Sequence, residues 1–125
     1  MILDTNALSA FADGEPQAVK RVEVVRLISL PVIVVGEFRF GIAGSRHRTK
    51  YERWLSDLLR SVRVLEIVEE TTLHYAEIRA ELKGAGTPLP ANDVWIGALC
   101  RQHALAILSR DGHFDSVRGV ERVDW

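Results

Sequence analysis

Short unbroken apolar runs alternate along the chain with longer stretches in which apolar residues return every three or four positions. Met1-Ile2-Leu3 is the first such run, and it ends in the turn and capping residues Asp4-Thr5-Asn6. This predicts a buried strand stopping at Asp4 and a helix through Leu8 to Ala12. Asp13-Gly14-Glu15-Pro16 breaks the pattern and opens a second helix, with proline in its first turn. Leu30 to Val35 is apolar and largely β-branched without a polar break. It predicts a strand covered on both faces, followed by a helix beginning in Gly36-Glu37-Phe38.

Thr49 and Glu52 have capping-box spacing. Behind them Tyr51, Trp54, Leu55, Leu58, Leu59 and Val62 mark one face of an amphipathic helix. Val64 to Val68 reads as a short strand. Glu70 to Ala85 reads as a helix closed by Gly84 and Gly86. This helix carries two apolar stripes: Leu73, Ala76 and Ala80, and opposite them Tyr75, Ile78 and Leu82. The second stripe is the expected dimer surface. Pro88 to Asp93 leads into a helix from about Asp93 to His103, apolar nearly all round and so central. Strands are expected at Ala106 to Ser109 and Val120 to Val123. Alternating strands and helices predict one α/β domain over residues 1–125 with a mostly parallel sheet.

Composition narrows the class. A chain of 125 residues with 47% hydrophobic and 26% charged residues is an ordinary globular domain, too short for two cores. The apolar run Leu30 to Val35 is six residues long and already contains Pro31, far below the roughly 20 residues a membrane helix needs. There is no signal-peptide pattern at the start, and the expected location is the cytoplasm. Cys100, the one cysteine, excludes an internal disulfide or a cysteine zinc site and reads as a small core hydrophobe. Net charge is −1, but the stretch from Arg39 to Arg53 holds five Lys/Arg (Arg39, Arg46, Arg48, Lys50 and Arg53) against Glu52 alone. That local excess is a candidate phosphate-binding face.

Four carboxylates give the chain its chemistry. Asp4 ends the first strand, Glu37 follows the second, Asp111 follows the fourth, and Asp93 opens the helix leading into the fourth. In a parallel sheet all four fall at the carboxyl edge, where α/β sites form. Like charges brought together raise each other's pKa or take up a cation. Oxygen donors without cysteine or a histidine pair select Mg²⁺ or Mn²⁺ over zinc. The reaction implied is metal-assisted phosphodiester hydrolysis, with the basic stretch holding the polyanion. A phosphatase built on an aspartyl nucleophile would need a second acid where Asn6 stands.

Met1 to Asn6, Val35-Gly36-Glu37, Asn92 to Ile96 and Ser109 to Phe114 together resemble the PIN domain, and more closely the VapC-type toxins of bacterial toxin–antitoxin pairs. The resemblance runs from Met1 to Trp125. It implies an α/β/α sandwich with strand order 3-2-1-4-5 and a Mg²⁺-dependent endoribonuclease in which Mn²⁺ can substitute. It further implies a homodimer and inhibition by a VapB-type antitoxin. By the family motif, Asp4 and Asp93 are the principal metal ligands, with Glu37 and Asp111 completing the cluster. Thr5, Asn6 and Ser109 fit the polar surroundings, and Asp115 is an alternative to Asp111. A PIN-fold RNA- or protein-binding module without catalysis is the competing reading, and failure to bind Mn²⁺ would reveal it.

The remaining residues read more plainly. His47, His74, His103 and His113 lack mutual i, i+4 spacing and are not read as ligands. His113-Phe114 reads as packing for the last loop. Trp54 and Trp95 sit at helix core positions. Asp13 and Glu15 read as turn and first-turn acids.

Overall fold

The computed structural model describes all 125 residues, Met1 to Trp125. Five short parallel strands form one sheet: β1 (Ile2–Leu3), β2 (Ser29–Pro31), β3 (Arg63–Leu65), β4 (Ile107–Leu108) and β5 (Arg122–Val123). Their spatial order is β3-β2-β1-β4-β5, as the family resemblance implies. Six helices connect them: α1 (Thr5–Ala12), α2 (Pro16–Glu23), α3 (Val32–Ile42), α4 (Arg48–Leu59), α5 (Glu69–Ala85) and α6 (Ala91–His103). A 3-10 turn, Gly112–Ser116, follows β4. No helix is long and apolar enough to cross a membrane.

Central β1 pairs Ile2 with Ile107 and Leu3 with Leu108 of β4. Successive strand residues face opposite sides of a sheet, and Ile2 and Leu3 are both 0% exposed, so helices cover both sides. This is the three-layer arrangement. The main core joins Ile2, Leu3, Leu8, Leu30, Phe38 and Leu108 with residues of α4 and α6. Trp54 packs edge-on against Phe11, with ring centroids 5.5 Å apart. Cys100 is buried, and burial pushes its thiol up to about 12.

The second strand is shorter than the apolar run predicts. Only Ser29–Pro31 is extended, and Val32 to Val35 form the first turn of α3. Val34, Val35, Phe38 and Ile42 are the buried residues of that helix. Their spacing is helical. An apolar run of this length suits a doubly covered strand or a buried helix turn equally, and the continuation through Phe38 and Ile42 decides for the helix. Glu37 is helical as expected, but it lies one turn further into its helix, six residues past the end of the strand instead of two.

Other boundaries shift for local reasons. Helix α4 begins at Arg48, with His47 at its N-cap and no side-chain cap, so the Thr49–Glu52 box does not form. A turn takes its place: His47 N–H donates to Ser45 Oγ (3.0 Å) and Arg48 N–H to the Ser45 carbonyl (3.2 Å). Strand β3 stops at Leu65, and Val68 N–H instead donates to Thr71 Oγ1 at the start of α5 (3.0 Å). Gly86 closes α5 with φ +70°, a left-handed conformation that suits glycine, whereas Gly84 lies inside the helix.

The stripe expected to form a dimer surface belongs to the core. Ile78 is 0% exposed and clusters with Leu82, Val94, Ala98 and Val117, while Tyr75 stacks on Trp95 at 3.9 Å. The opposite stripe faces outward, with Leu73 64% exposed.

Candidate metal centre

Asp4 is where the site begins. It leaves β1 in an extended conformation (φ −78°, ψ 178°) and caps α1, its Oδ1 accepting from Ala7 N–H at 2.7 Å. Its other oxygen, Oδ2, accepts from the hydroxyl of Ser109, the residue just past β4. Ser109 Oγ in turn accepts from Asp111 N–H at 2.9 Å. One buried hydroxyl thus ties the ends of the two central strands together and fixes the spacing of Asp4 and Asp111. Both Asp4 (5% exposed) and Ser109 (0%) are buried.

Asp111 caps the 3-10 turn, its Oδ1 accepting from His113 N–H at 2.9 Å. Asp93 stands half-buried in the first turn of α6. The His113 imidazole lies between these two acids, with Nδ1 3.2 Å from Asp111 Oδ1 and 3.9 Å from Asp93 Oδ2. Asp93, Asp111 and His113 each offer a ligand atom, and these atoms lie within 4.8 Å of one another.

Electrostatics bring the remaining acids into the same neighbourhood. Burial raises the Asp4 pKa most; hydrogen bonds from Ser109 and Ala7 oppose this, and the charges of Asp111 and Asp93 add to it. Burial also raises Asp93, helped by the charges of Asp111 and Glu37 and opposed by His113. The charges of Asp93 and Asp111 therefore act on Asp4, and that of Glu37 reaches the group through Asp93. No lysine or arginine forms an ion pair with any of them. Other acids are treated differently: Asp115 is held by Arg122 (2.8 Å), Glu81 by Arg101 (3.0 Å) and Glu15 by Arg110. An uncompensated set of mainly carboxylate donors fits a hard divalent cation.

Asp115, the alternative fourth acid, is committed to Arg122 through both oxygens and is exposed. Arg122 pulls its pKa below the usual carboxylate range, the opposite of Asp4 and Asp93. Thr5 and Glu37 line a groove of about 290 Å³ that also takes in Ser9, Asp13, Phe38 and Tyr51. Asp13 accepts a hydrogen bond from Tyr51 there (2.5 Å), and Asn6 is exposed. In the basic stretch Arg39 is partly neutralised by Glu52 (3.4 Å), whereas Arg46, Arg48 and Lys50 are exposed and without an acidic partner.

His113 was not expected here. Of the pair assigned to loop packing, only Phe114 packs (1% exposed), and His113 turns to the acids. Its signal in the sequence is position: two residues beyond a capping aspartate, one tight turn returns a side chain to the cap.

Comparison with known proteins agrees with this architecture. The PIN domain family model matches residues 1–120. Toxin FitB of Neisseria gonorrhoeae is 31% identical over 123 residues, covering 89% of this chain and 87% of that protein. Ribonuclease VapC4 of Mycobacterium tuberculosis is 30% identical over 92 residues, covering 72% and 71%. Among solved structures, FitAB bound to an IR36 DNA fragment superposes with TM-score 0.86 at 29% identity, covering 98% of this chain and 93% of that one. VapBC2 of Rickettsia felis superposes with TM-score 0.89 at 19% identity, covering 99% and 97%, and so shares the fold. From its four-acid sheet edge to its strand order and its match over nearly the whole length, this chain belongs to the PIN domain family.

Proposed function

We propose that this protein is a divalent-metal-dependent endoribonuclease toxin of the VapC type, neutralised by a VapB-type antitoxin. The observation that carries this reading is the closeness of the Asp93 and Asp111 ligand atoms, with the charges of both acting on buried Asp4, that of Glu37 acting on Asp93, and no lysine or arginine paired with any of the four. The similarity to VapC4 of Mycobacterium tuberculosis, a ribonuclease by name, supports the substrate class. Solved neighbours named as VapBC and FitAB complexes support the antitoxin. The family resemblance extends the reading to a homodimer.

Asp4, Asp93 and Asp111 would hold the ion, with Glu37 beside them at the groove, and Mg²⁺ is the expected resident. A divalent ion, when bound there, polarises the phosphodiester and acidifies an attacking water. The chain's own residues do the rest. Ser109 keeps Asp4 and Asp111 in register, so neither carboxylate must be ordered when RNA arrives. Ala7 N–H and Ser109 hold Asp4 against burial, which otherwise favours its protonated form. Arg46, Arg48 and Lys50 offer charges to flanking phosphates. Thr5 and Ser9 line the groove beside Glu37 and can donate hydrogen bonds to a strand lying there.

Induced expression in a heterologous bacterium tests the whole reading. Growth arrest with RNA fragmentation is expected from the native chain, none from Asp93→Asn, and recovery when the cognate antitoxin is co-expressed. Arrest by Asp93→Asn equal to that of the native chain would overturn the reading.

A further inference from the structure

We propose that His113 is a nitrogen ligand of the metal centre and biases it toward first-row divalent ions over Mg²⁺. The inference rests on the metal-centre reading above and adds to it a donor of different chemistry. Three observations carry it.

First, the distances suit ligation. Donors at adjacent positions of a six-coordinate ion with bonds of ~2.1 Å lie ~3 Å apart. His113 Nδ1 is 3.2 Å from Asp111 Oδ1 and 3.9 Å from Asp93 Oδ2. Small adjustments bring all three onto one ion. Second, the imidazole is presented by fixed backbone. His113 N–H is bonded to the Asp111 carboxylate, and the next residue, Phe114, is anchored in the core. A 58% exposed side chain that could extend into solvent instead lies over two carboxylates.

Third, His113 has no rival. Arg110, beside Asp111 in sequence, is drawn away to Glu15 and the Trp125 ring, its guanidinium carbon 4.5 Å from the ring centroid. No other lysine, arginine or histidine is within ion-pair distance of Asp93 or Asp111. The one basic side chain within ion-pair distance of Asp93 and Asp111 is therefore also a competent metal donor.

The chemical consequence is selectivity. Mg²⁺ is bound through oxygen and keeps much of its water. Imidazole nitrogen favours first-row metals, whose affinities rise from Mn²⁺ toward copper. Mn²⁺ is the weakest of that series, so it is the most demanding probe of a nitrogen preference.

Electron spin echo spectroscopy of the purified protein loaded with Mn²⁺ alone reads ligation directly. Modulation from a directly coordinated imidazole nitrogen is expected in the native protein and absent in His113→Ala. Calorimetric titration with Mn²⁺ and with Mg²⁺ gives the selectivity. His113→Ala should lower Mn²⁺ affinity about ten-fold, the scale of a lost supporting group at a metal site, and leave Mg²⁺ affinity unchanged. No nitrogen modulation in the native protein, or equal losses for both ions, overturns the proposal. Asp93→Asn separates the two readings. If it binds Mn²⁺ as tightly as the native chain, the metal centre itself is misplaced; if it loses Mn²⁺ while His113→Ala keeps it, only the role of His113 fails.

Discussion

Ser109 and Asp4, 105 positions apart in the chain, meet through a buried hydrogen bond in which the serine hydroxyl donates to Asp4 Oδ2. The same hydroxyl accepts from the Asp111 backbone, so a neutral side chain sets the geometry of two acids at once. Ser109→Ala should therefore disturb the site more than loss of one oxygen atom suggests. It leaves a buried carboxylate with a single donor, at a cost of roughly 1–3 kcal/mol. Thermal melts of the metal-free protein at neutral pH should show a drop of several degrees. Unchanged stability would mean that water replaces the hydroxyl at no cost.

The pH dependence follows from the raised pKa values of Asp4 and Asp93. The native state holds protons on these groups more tightly than the unfolded chain does. Their contribution to stability is thus greatest when they are protonated. It is lost as pH rises from the ordinary aspartate value of 3.8 through the higher native one. Asp93→Asn should remove part of that loss and raise the metal-free melting temperature at pH 7 by about 1–3 °C, a small gain because Asp93 is only partly buried and keeps some of its water. Mn²⁺ should stabilise the native protein by mass action and the variant much less. Differential scanning calorimetry with and without chelator checks both. A lower melting temperature for Asp93→Asn in chelator would mean that its charge is compensated in the native state.

Charge on the α4 side should matter for RNA and not for metal. Arg46 and Arg48 are exposed and unpaired. If each contacts a phosphate of a single strand, Arg46→Glu with Arg48→Glu should reduce the slope of log K against log salt by about 1.4. Arg39→Ala should do less, because Glu52 already offsets it. Fluorescence anisotropy of an RNA oligonucleotide at several salt concentrations measures the slope, and an unchanged slope contradicts the assignment.

Helix α5 can be tested residue by residue. Ile78 is fully buried against Val94, Ala98 and Val117, so Ile78→Ala should cost about 2–5 kcal/mol. Leu73, on the exposed face, should tolerate Leu73→Asp within about 0.5 kcal/mol. Urea denaturation distinguishes them. Equal costs would place Leu73 in an interface that stabilises the fold.

The acids were legible in the sequence because each follows a break between patterns, and parallel topology sends every such break to one sheet edge. Asp4, Asp93 and Asp111 stand at the element ends expected of them. Glu37 lies on the helix after the second strand as its sequence suggests; only the boundary differs, since Val32 to Val35 already form the first turn of that helix. Which stripe of α5 is buried was not legible, since both are apolar and only packing against α6 distinguishes them. His113 was hidden for another reason. Histidine spacing rules look for helical pairs, whereas His113 reaches Asp93 and Asp111 through a tight turn and a contact across the fold.

The central claim is that the four-acid edge holds a divalent ion and cuts RNA with it. Cleavage of a single-stranded RNA by the purified protein, with Mg²⁺ or with EDTA, tests this most directly when run beside Asp4→Asn and Asp93→Asn. The native chain is predicted to cut with Mg²⁺ and not with EDTA, and both variants to lose at least 100-fold in rate, about 2.7 kcal/mol of transition-state stabilisation. Cutting that persists in EDTA, or at the native rate in both variants, would contradict the claim.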